Sequence, residues 1–234
     1  MEHTNMLFRQ LFDKITSTYT YLIADTKTKN AALVDAVLEQ VPRDLQVLQQ
    51  LGLTLRYSIE THIHADHITG AQKLQEATGC LKILPEHASV NCADKKIKDG
   101  EILHLDSVEI KAIATPGHTD SHMSYLLNNE KVLTGDALLI LGCGRTDFQS
   151  GDAGALFDSV TQKLFTLPDT TLVYPAHDYQ GLTVSTIGEE KLYNPRFYGH
   201  NRNSFIELMN NLNLPFPQQM PVAVPANETC GSHK

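Results

Sequence analysis

Thr61-His62-Ile63-His64-Ala65-Asp66-His67 sets three imidazoles and a carboxylate side by side, directly after the run Leu53-Thr54-Leu55-Arg56-Tyr57-Ser58-Ile59. That run alternates like a strand. An extended chain through His62 and His64 turns both side chains to one face of the strand end, aimed at a common point. Asp66 and His67 then follow on a turn. Neutral imidazole nitrogens and carboxylate oxygens suit zinc, iron or manganese at about 2.0 to 2.2 Å. A solvated loop has no need of so many histidines together, so the stretch reads as metal chemistry at a strand end.

Downstream, the same arrangement recurs. The strand Val108 to Ala114 runs into Thr115-Pro116-Gly117-His118-Thr119-Asp120-Ser121-His122, where Pro116 and Gly117 enforce a sharp turn that presents His118. Lys131 to Gly135 ends at Asp136, which taken alone would be a turn aspartate. Thr171 to Tyr174 ends in Pro175-Ala176-His177-Asp178-Tyr179. Gly142-Cys143-Gly144-Arg145 lies close behind Asp136 and lacks the lysine and spacing of a phosphate-binding loop. Spacing alone suggests two metals, with His62, His64 and His118 on one, Asp66, His67 and His177 on the other, and Asp136 bridging.

Around these ligands the pattern is α/β. Strands are expected at Leu7 to Phe12, Thr18 to Ala24 and Ala31 to Val34, and a helix capped by Asp44 that ends at Gly52. A helix follows over Gly70 to Thr78, then a short strand at Leu81 to Leu84, a loop over Val90 to Gly100 and a hairpin around Asp106-Ser107. Further strands fall at Met123 to Leu127 and Lys131 to Gly135, and helices at Asp152 to Leu167 and about Ser204 to Asn211. His104 lies within a strand and is left out of the ligand set. Residues 1–234 form one expected domain whose tail, about 212–234, is mostly coil. Two halves, each of strands followed by a helix, suggest two sheets between helices with strand ends meeting along one edge.

Composition limits the function classes. The chain has 234 residues, enough for one sizeable core, with 41% hydrophobic and 20% charged residues. A formal net charge of -8 and no basic cluster argue against a nucleic-acid surface. No apolar run reaches membrane-spanning length, and the first residues lack a signal-peptide pattern, so a cytoplasmic protein is expected, or a mitochondrial-matrix one if an organellar form has been processed. Cys80, Cys92, Cys143 and Cys230 show no CxxC pair and read as reduced thiols.

In this order, HxHxDH at 62 to 67, His118, Asp136 and His177 resemble the metallo-β-lactamase superfamily, which also tends to place an aspartate where Asp35 stands. The resemblance spans nearly the whole chain and implies a four-layer αββα sandwich with the metal at one edge of the sheets. THIHADHITG, TPGHTDSH, TGDALLI, GCGRTDFQ, YPAHDYQG and NPR together resemble the persulfide dioxygenases. That family implies one iron(II) per chain on His62, His118 and Asp136, with His64, Asp66, His67 and His177 orienting ligands or, in the two-metal alternative, holding a second ion. It implies oxidation of the sulfane sulfur of glutathione persulfide by O2 to sulfite and glutathione, in hydrogen sulfide catabolism. Arg196 and Tyr179 are the candidates to hold glutathione, because arginine grips a carboxylate bidentately. Arg145 is expected to pair with a nearby acid and brace the Asp136 loop, with Cys143 a small buried residue beside it. Analogy admits a homodimer. A glyoxalase II-like thioester hydrolase shares the fold, the seven ligands and a glutathione substrate, but its long helical C-terminal segment is not expected in the 55 residues after Tyr179, where one good helix is visible. A metal-binding module without catalysis is the alternative of another class.

Overall fold

The computed structural model describes residues 5–232. In chain order the strands and helices are β1 (Met6–Asp13), β2 (Thr18–Asp25), β3 (Asn30–Val34), α1 (Val41–Leu51), β4 (Thr54–Ile59), α2 (Ala71–Thr78), β5 (Leu81–Pro85) and β6 (Lys95–Ile97). Then come β7 (Ile102–Leu105), β8 (Val108–Ala114), β9 (Met123–Leu127), β10 (Lys131–Gly135), α3 (Ala153–Gln162), β11 (Leu172–Pro175), β12 (Ser185–Thr186), α4 (Ile187–Tyr193), α5 (Arg202–Asn210) and α6 (Met220–Asn227).

There are two mixed six-stranded sheets, ordered β1-β2-β3-β4-β5-β6 and β12-β11-β10-β9-β8-β7. The first begins as an antiparallel meander and turns parallel from β3 to β6, where helical crossovers begin. In the second, β10 lies antiparallel to β9 and parallel to β11. That parallel pairing brings the ends of β10 and β11 together, where Asp136 and His177 follow. The chain divides into two compact units, one drawn from Met1–Ile97, Ile102–Ile110 and Pro217–Lys234, the other from Lys98–Glu101 and Lys111–Phe216. The first has its core where α1 and α2 lay Val41, Leu48 and Leu74 on Leu22, Leu33 and Leu55. In the second, Leu156 and Val160 of α3 and Phe205 and Met209 of α5 pack with Val132 and Val173. Among the described residues no helix is long and apolar enough to cross a membrane.

Several sequence expectations need correction. Helix α1 starts at Val41 rather than after Asp44, because Pro42 supplies a helical φ in the first turn and needs no N–H partner. Asp44 is therefore no cap but a buried residue inside the first turn, paired with Arg43. The loop expected over Val90 to Gly100 contains β6, added in parallel to β5. Within the tail expected to be mostly coil lies α6, and among the described residues three helices, where one was expected, follow Tyr179. Cys92 and Cys230, read as reduced thiols, form a disulfide across a sequence separation of 138. Residues so far apart carry no local spacing signal, and α6 brings the second thiol to the first. Cys80 and Cys143 are free.

Candidate metal centre

In the first unit β4 delivers the His62–His67 stretch from its end. Asp35, directly after β3 with φ 55, accepts the Thr61 N–H at 2.7 Å and the Thr61 hydroxyl at 2.9 Å. That hydroxyl has spent its only proton, so it accepts from His62 Nδ1 at 2.9 Å. The tautomer of His62 is thereby set with its lone pair on Nε2, the form that binds a metal. His64 Nε2 lies 3.1 Å from Asp35 and 3.4 Å from Glu60. Burial works against a charge on His64, yet the Asp35 carboxylate and its hydrogen bonds to Asp35 and Glu60 outweigh it and push the imidazole up to about 10. Burial pushes the Glu60 carboxyl up as well, although His64 and Thr69 favour its charged form. His64, Asp66 and His67 bring donor atoms within 4.8 Å of one another. Asp66 Oδ2 is engaged by His67 Nδ1 at 2.8 Å and by the Thr18 hydroxyl at 3.2 Å.

The second unit carries the other ligand types. Gly117 has φ 140, and a Cβ there would run into the backbone of Leu156; the Pro-Gly turn is therefore required where α3 passes, and it presents His118. His118 Nδ1 donates to the Arg145 carbonyl at 2.7 Å, which leaves the lone pair on Nε2, 3.5 Å from Asp136 Oδ2. The other oxygen of Asp136 accepts from His177 Nδ1 at 2.7 Å. His118, Asp136 and His177 are thus gathered in the second unit. The donor set of imidazole Nε2 lone pairs and a carboxylate oxygen, each with its remaining atoms hydrogen-bonded, fits a divalent transition metal.

The glycine-rich loop acquires a physical reason. Its Gly144 N–H donates to the Asp136 carbonyl at 2.8 Å, and a Cβ at Gly144 would run into that same carbonyl and approach His118 Nδ1 at 2.8 Å. Arg145 holds Asp147 through two hydrogen bonds of 2.7 Å and reaches the Pro215 carbonyl at 2.8 Å, so it pairs with an acid and braces its loop. Cys143 packs half-buried with Met209, and burial pushes its thiol up to about 12. Tyr179 is 73% exposed with its ring parallel to that of His177, centroids 6.1 Å apart. Arg196 is half-buried, and its guanidinium makes no hydrogen bond or ion pair among the described residues.

Three groups that sequence reasoning missed support this centre. His122 accepts the Asp136 N–H on Nε2 at 3.0 Å while its Nδ1 meets the Thr115 hydroxyl at 2.9 Å; its place beside His118 in the TPGHTDSH run was the available signal. Glu190 accepts the Leu141 N–H at 3.0 Å and an Asn194 N–H at 2.7 Å, and Asn194 also donates to the Gly142 carbonyl at 3.0 Å. The spelling Thr186-Ile187-Gly188-Glu189 was a helix-start signal for α4, and Thr186 does cap it by accepting from Glu189 N. Asn227 donates to the carbonyls of His64 and His67 at 2.9 and 2.8 Å and accepts the Thr69 N–H at 2.8 Å. Nothing local in the sequence marks it.

Comparison with known proteins agrees with these features. The metallo-beta-lactamase superfamily model matches residues 14–177. Human persulfide dioxygenase ETHE1, mitochondrial, is 47% identical over 228 residues, covering 97% of this chain and 89% of the human protein. The crystal structure of ETHE1 from Myxococcus xanthus is 52% identical and superposes with a TM-score of 0.95, covering 97% of this chain and 100% of that one. The hydroxyacylglutathione hydrolase of Rhodopseudomonas palustris is more distant, at 32% identity over 75% of this chain and 68% of its own length. The chain has the metallo-β-lactamase fold and belongs, within that superfamily, to the persulfide dioxygenases.

Proposed function

We propose that this persulfide dioxygenase oxidises the sulfane sulfur of glutathione persulfide with O2, giving sulfite and glutathione, on one iron(II) held by His62, His118 and Asp136. The observation that carries the one-metal reading is the pairing of the remaining donors. Asp66 is taken by His67 and Thr18, and the second oxygen of Asp136 by His177. A second metal taking those same oxygens would have to displace these pairs.

Held by His62, His118 and Asp136, iron(II) would bind persulfide sulfur and O2 together and would supply the electron density O2 needs. The chain's own residues do the rest. Thr61 and the Arg145 carbonyl keep His62 and His118 in the ligating tautomer. His177 holds Asp136 so that Oδ2 is presented, and His122 fixes the backbone behind it. Arg196 grips a glutathione carboxylate and Tyr179 lies along the tripeptide, which orients the sulfur and replaces an encounter in solution. His67, donating through Nδ1 to Asp66, keeps Nε2 as an acceptor for a proton of the water that releases sulfite. The reading carries with it a cytoplasmic setting, or the mitochondrial matrix for a processed organellar form, and a homodimer that sedimentation would reveal.

Helices α4, α5 and α6 follow Tyr179, so what disfavours the thioester-hydrolase alternative is its lower identity and the paired donors. Metal content of two variants tests the ligand set. Asp136→Ala should lose iron and activity, whereas His177→Ala should keep most of its iron. Equal metal loss in both variants would favour a two-metal centre.

A further inference from the structure

The C-terminal segment of the first unit is tied to the metal-bearing loop in a way the reaction itself does not require. Asn227, only 2% exposed, satisfies three backbone groups of that loop, the carbonyls of His64 and His67 and the N–H of Thr69. Three residues on, the Cys230 carbonyl accepts the Gln72 N–H at 3.1 Å, and Gly231 passes so close to the Thr69 carbonyl that a Cβ would collide with it. The segment making these contacts is intrinsically weak. Helix α6 reads MPVAVPAN, with Pro225 inside it and β-branched valines beside two prolines, a composition that does not sustain a helix alone. What fixes it is the disulfide from buried Cys230 to half-buried Cys92, beside Ile63, Leu84 and Val90.

We infer that Asn227 is a positioning residue for the His62–Thr69 loop and that the Cys92–Cys230 disulfide is a thiol-reducible latch that holds it in place. The inference rests on the proposed role of His62 as an iron ligand. Opening the latch frees a short, proline-containing segment to detach locally, and the three loop groups then turn to water.

The chemistry needs only a small-molecule thiol. Its thiolate attacks the more accessible sulfur, Cys92 Sγ; the Cys92–Cys230 bond breaks, and Cys230 leaves as a thiolate and takes a proton. A second thiol attacks the mixed disulfide on Cys92, releasing the Cys92 thiol. Two thiols are oxidised to one disulfide, and the protein disulfide is reduced to two thiols. The thiol released by persulfide oxidation belongs to this class.

The test compares the oxidised protein, the protein reduced with glutathione or a phosphine, Cys92→Ser, Asn227→Ala and Asn227→Asp, the last retaining shape and the Oδ1 acceptor. Readouts are hydrogen exchange of the peptides spanning residues 62–72 and 220–230 and the rate of iron loss to a chelator. Reduction, Cys92→Ser and Asn227→Ala should each speed exchange in both peptides and speed iron loss by about tenfold, the scale seen when outer hydrogen bonds to metal ligands are removed. Asn227→Asp, which sets a second oxygen against the two carbonyls in place of the Nδ2 donor, should exchange and lose iron at least as fast as Asn227→Ala. Reoxidation should restore the wild type, and Cys92→Ser should not respond to thiol. Unchanged exchange and iron retention in the reduced protein and in Cys92→Ser would overturn the latch; an Asn227→Ala protein that behaves as wild type would overturn the positioning role. These readouts need no turnover. Normal O2 uptake with no latch effect sinks this inference alone, whereas a latch effect without O2 uptake sinks the dioxygenase reading alone.

Discussion

His122 Nε2 accepts the backbone N–H of Asp136 at 3.0 Å, so the position of a proposed iron ligand is set by a histidine outside the proposed ligand set. The Thr115 hydroxyl at Nδ1 keeps the His122 ring in the orientation that makes this possible. His122→Ala should lower kcat and iron affinity by about tenfold to a hundredfold while KM for the persulfide changes little. Steady-state kinetics and iron titration check this. Unchanged iron affinity would show that β10 positions Asp136 without help.

Gly144 lies against Asp136 and His118 with no room for a methyl group. Gly144→Ala should push the loop away from both residues, break the His118–Arg145 carbonyl bond and abolish iron binding, with far-ultraviolet circular dichroism unchanged. Gly142→Ala is the control. Its Cβ would meet nothing closer than 3.7 Å, so that variant should keep its iron.

Asp44 gives a pH dependence whose sign follows from its environment. Burial in the first turn of α1 pushes its carboxyl up to about 6, even though Arg43 favours the charged form. A carboxyl whose folded pKa is raised contributes stability that is complete below the unfolded value near 3.8 and is lost as pH rises through about 6. Removing the charge with Asp44→Asn should therefore leave stability at pH 4 nearly unchanged. Above pH 7 it should stabilise by up to about 3 kcal/mol, because each tenfold change in a protonation equilibrium is worth roughly 1.4 kcal/mol. Denaturant unfolding at the two pH values decides it; a loss at both would mean the Arg43 pairing outweighs the burial.

Arg196, whose guanidinium makes no hydrogen bond or ion pair among the described residues, is the cation proposed for a glutathione carboxylate. Arg196→Gln should raise KM for glutathione persulfide about tenfold or more, the scale of a lost charge-assisted hydrogen bond, with kcat little altered. A short persulfide without carboxylates should be used equally well by wild type and variant. A fall in kcat alone would assign Arg196 to the chemistry instead.

The candidate metal residues were legible because each stands where a period-two strand stops, and a strand end is a position that sequence alternation locates well. His62 after β4, His118 after β8, Asp136 after β10 and His177 after β11 all follow this rule. What escaped were the groups joined by tertiary contact. Helix α6 contradicts its own propensities and exists because Asn227 and Cys230 are held; β6 is a three-residue strand whose lysines carry no alternation and which forms only by pairing with β5. The Cys92–Cys230 bond belongs to the same class, since its partners are distant in sequence. Spacing alone suggested two metals, and the proposed single iron rests on tertiary contacts instead. It depends on which donors bond one another, as Asp66 does with His67 and Asp136 with His177.

The most direct test is the iron content of anaerobically purified protein measured together with O2 uptake on addition of glutathione persulfide. The account predicts about one iron per chain, as three protein ligands on an octahedral ion require, with O2 consumed and sulfite released. Two metals per chain, no O2 uptake and hydrolysis of a glutathione thioester would contradict it.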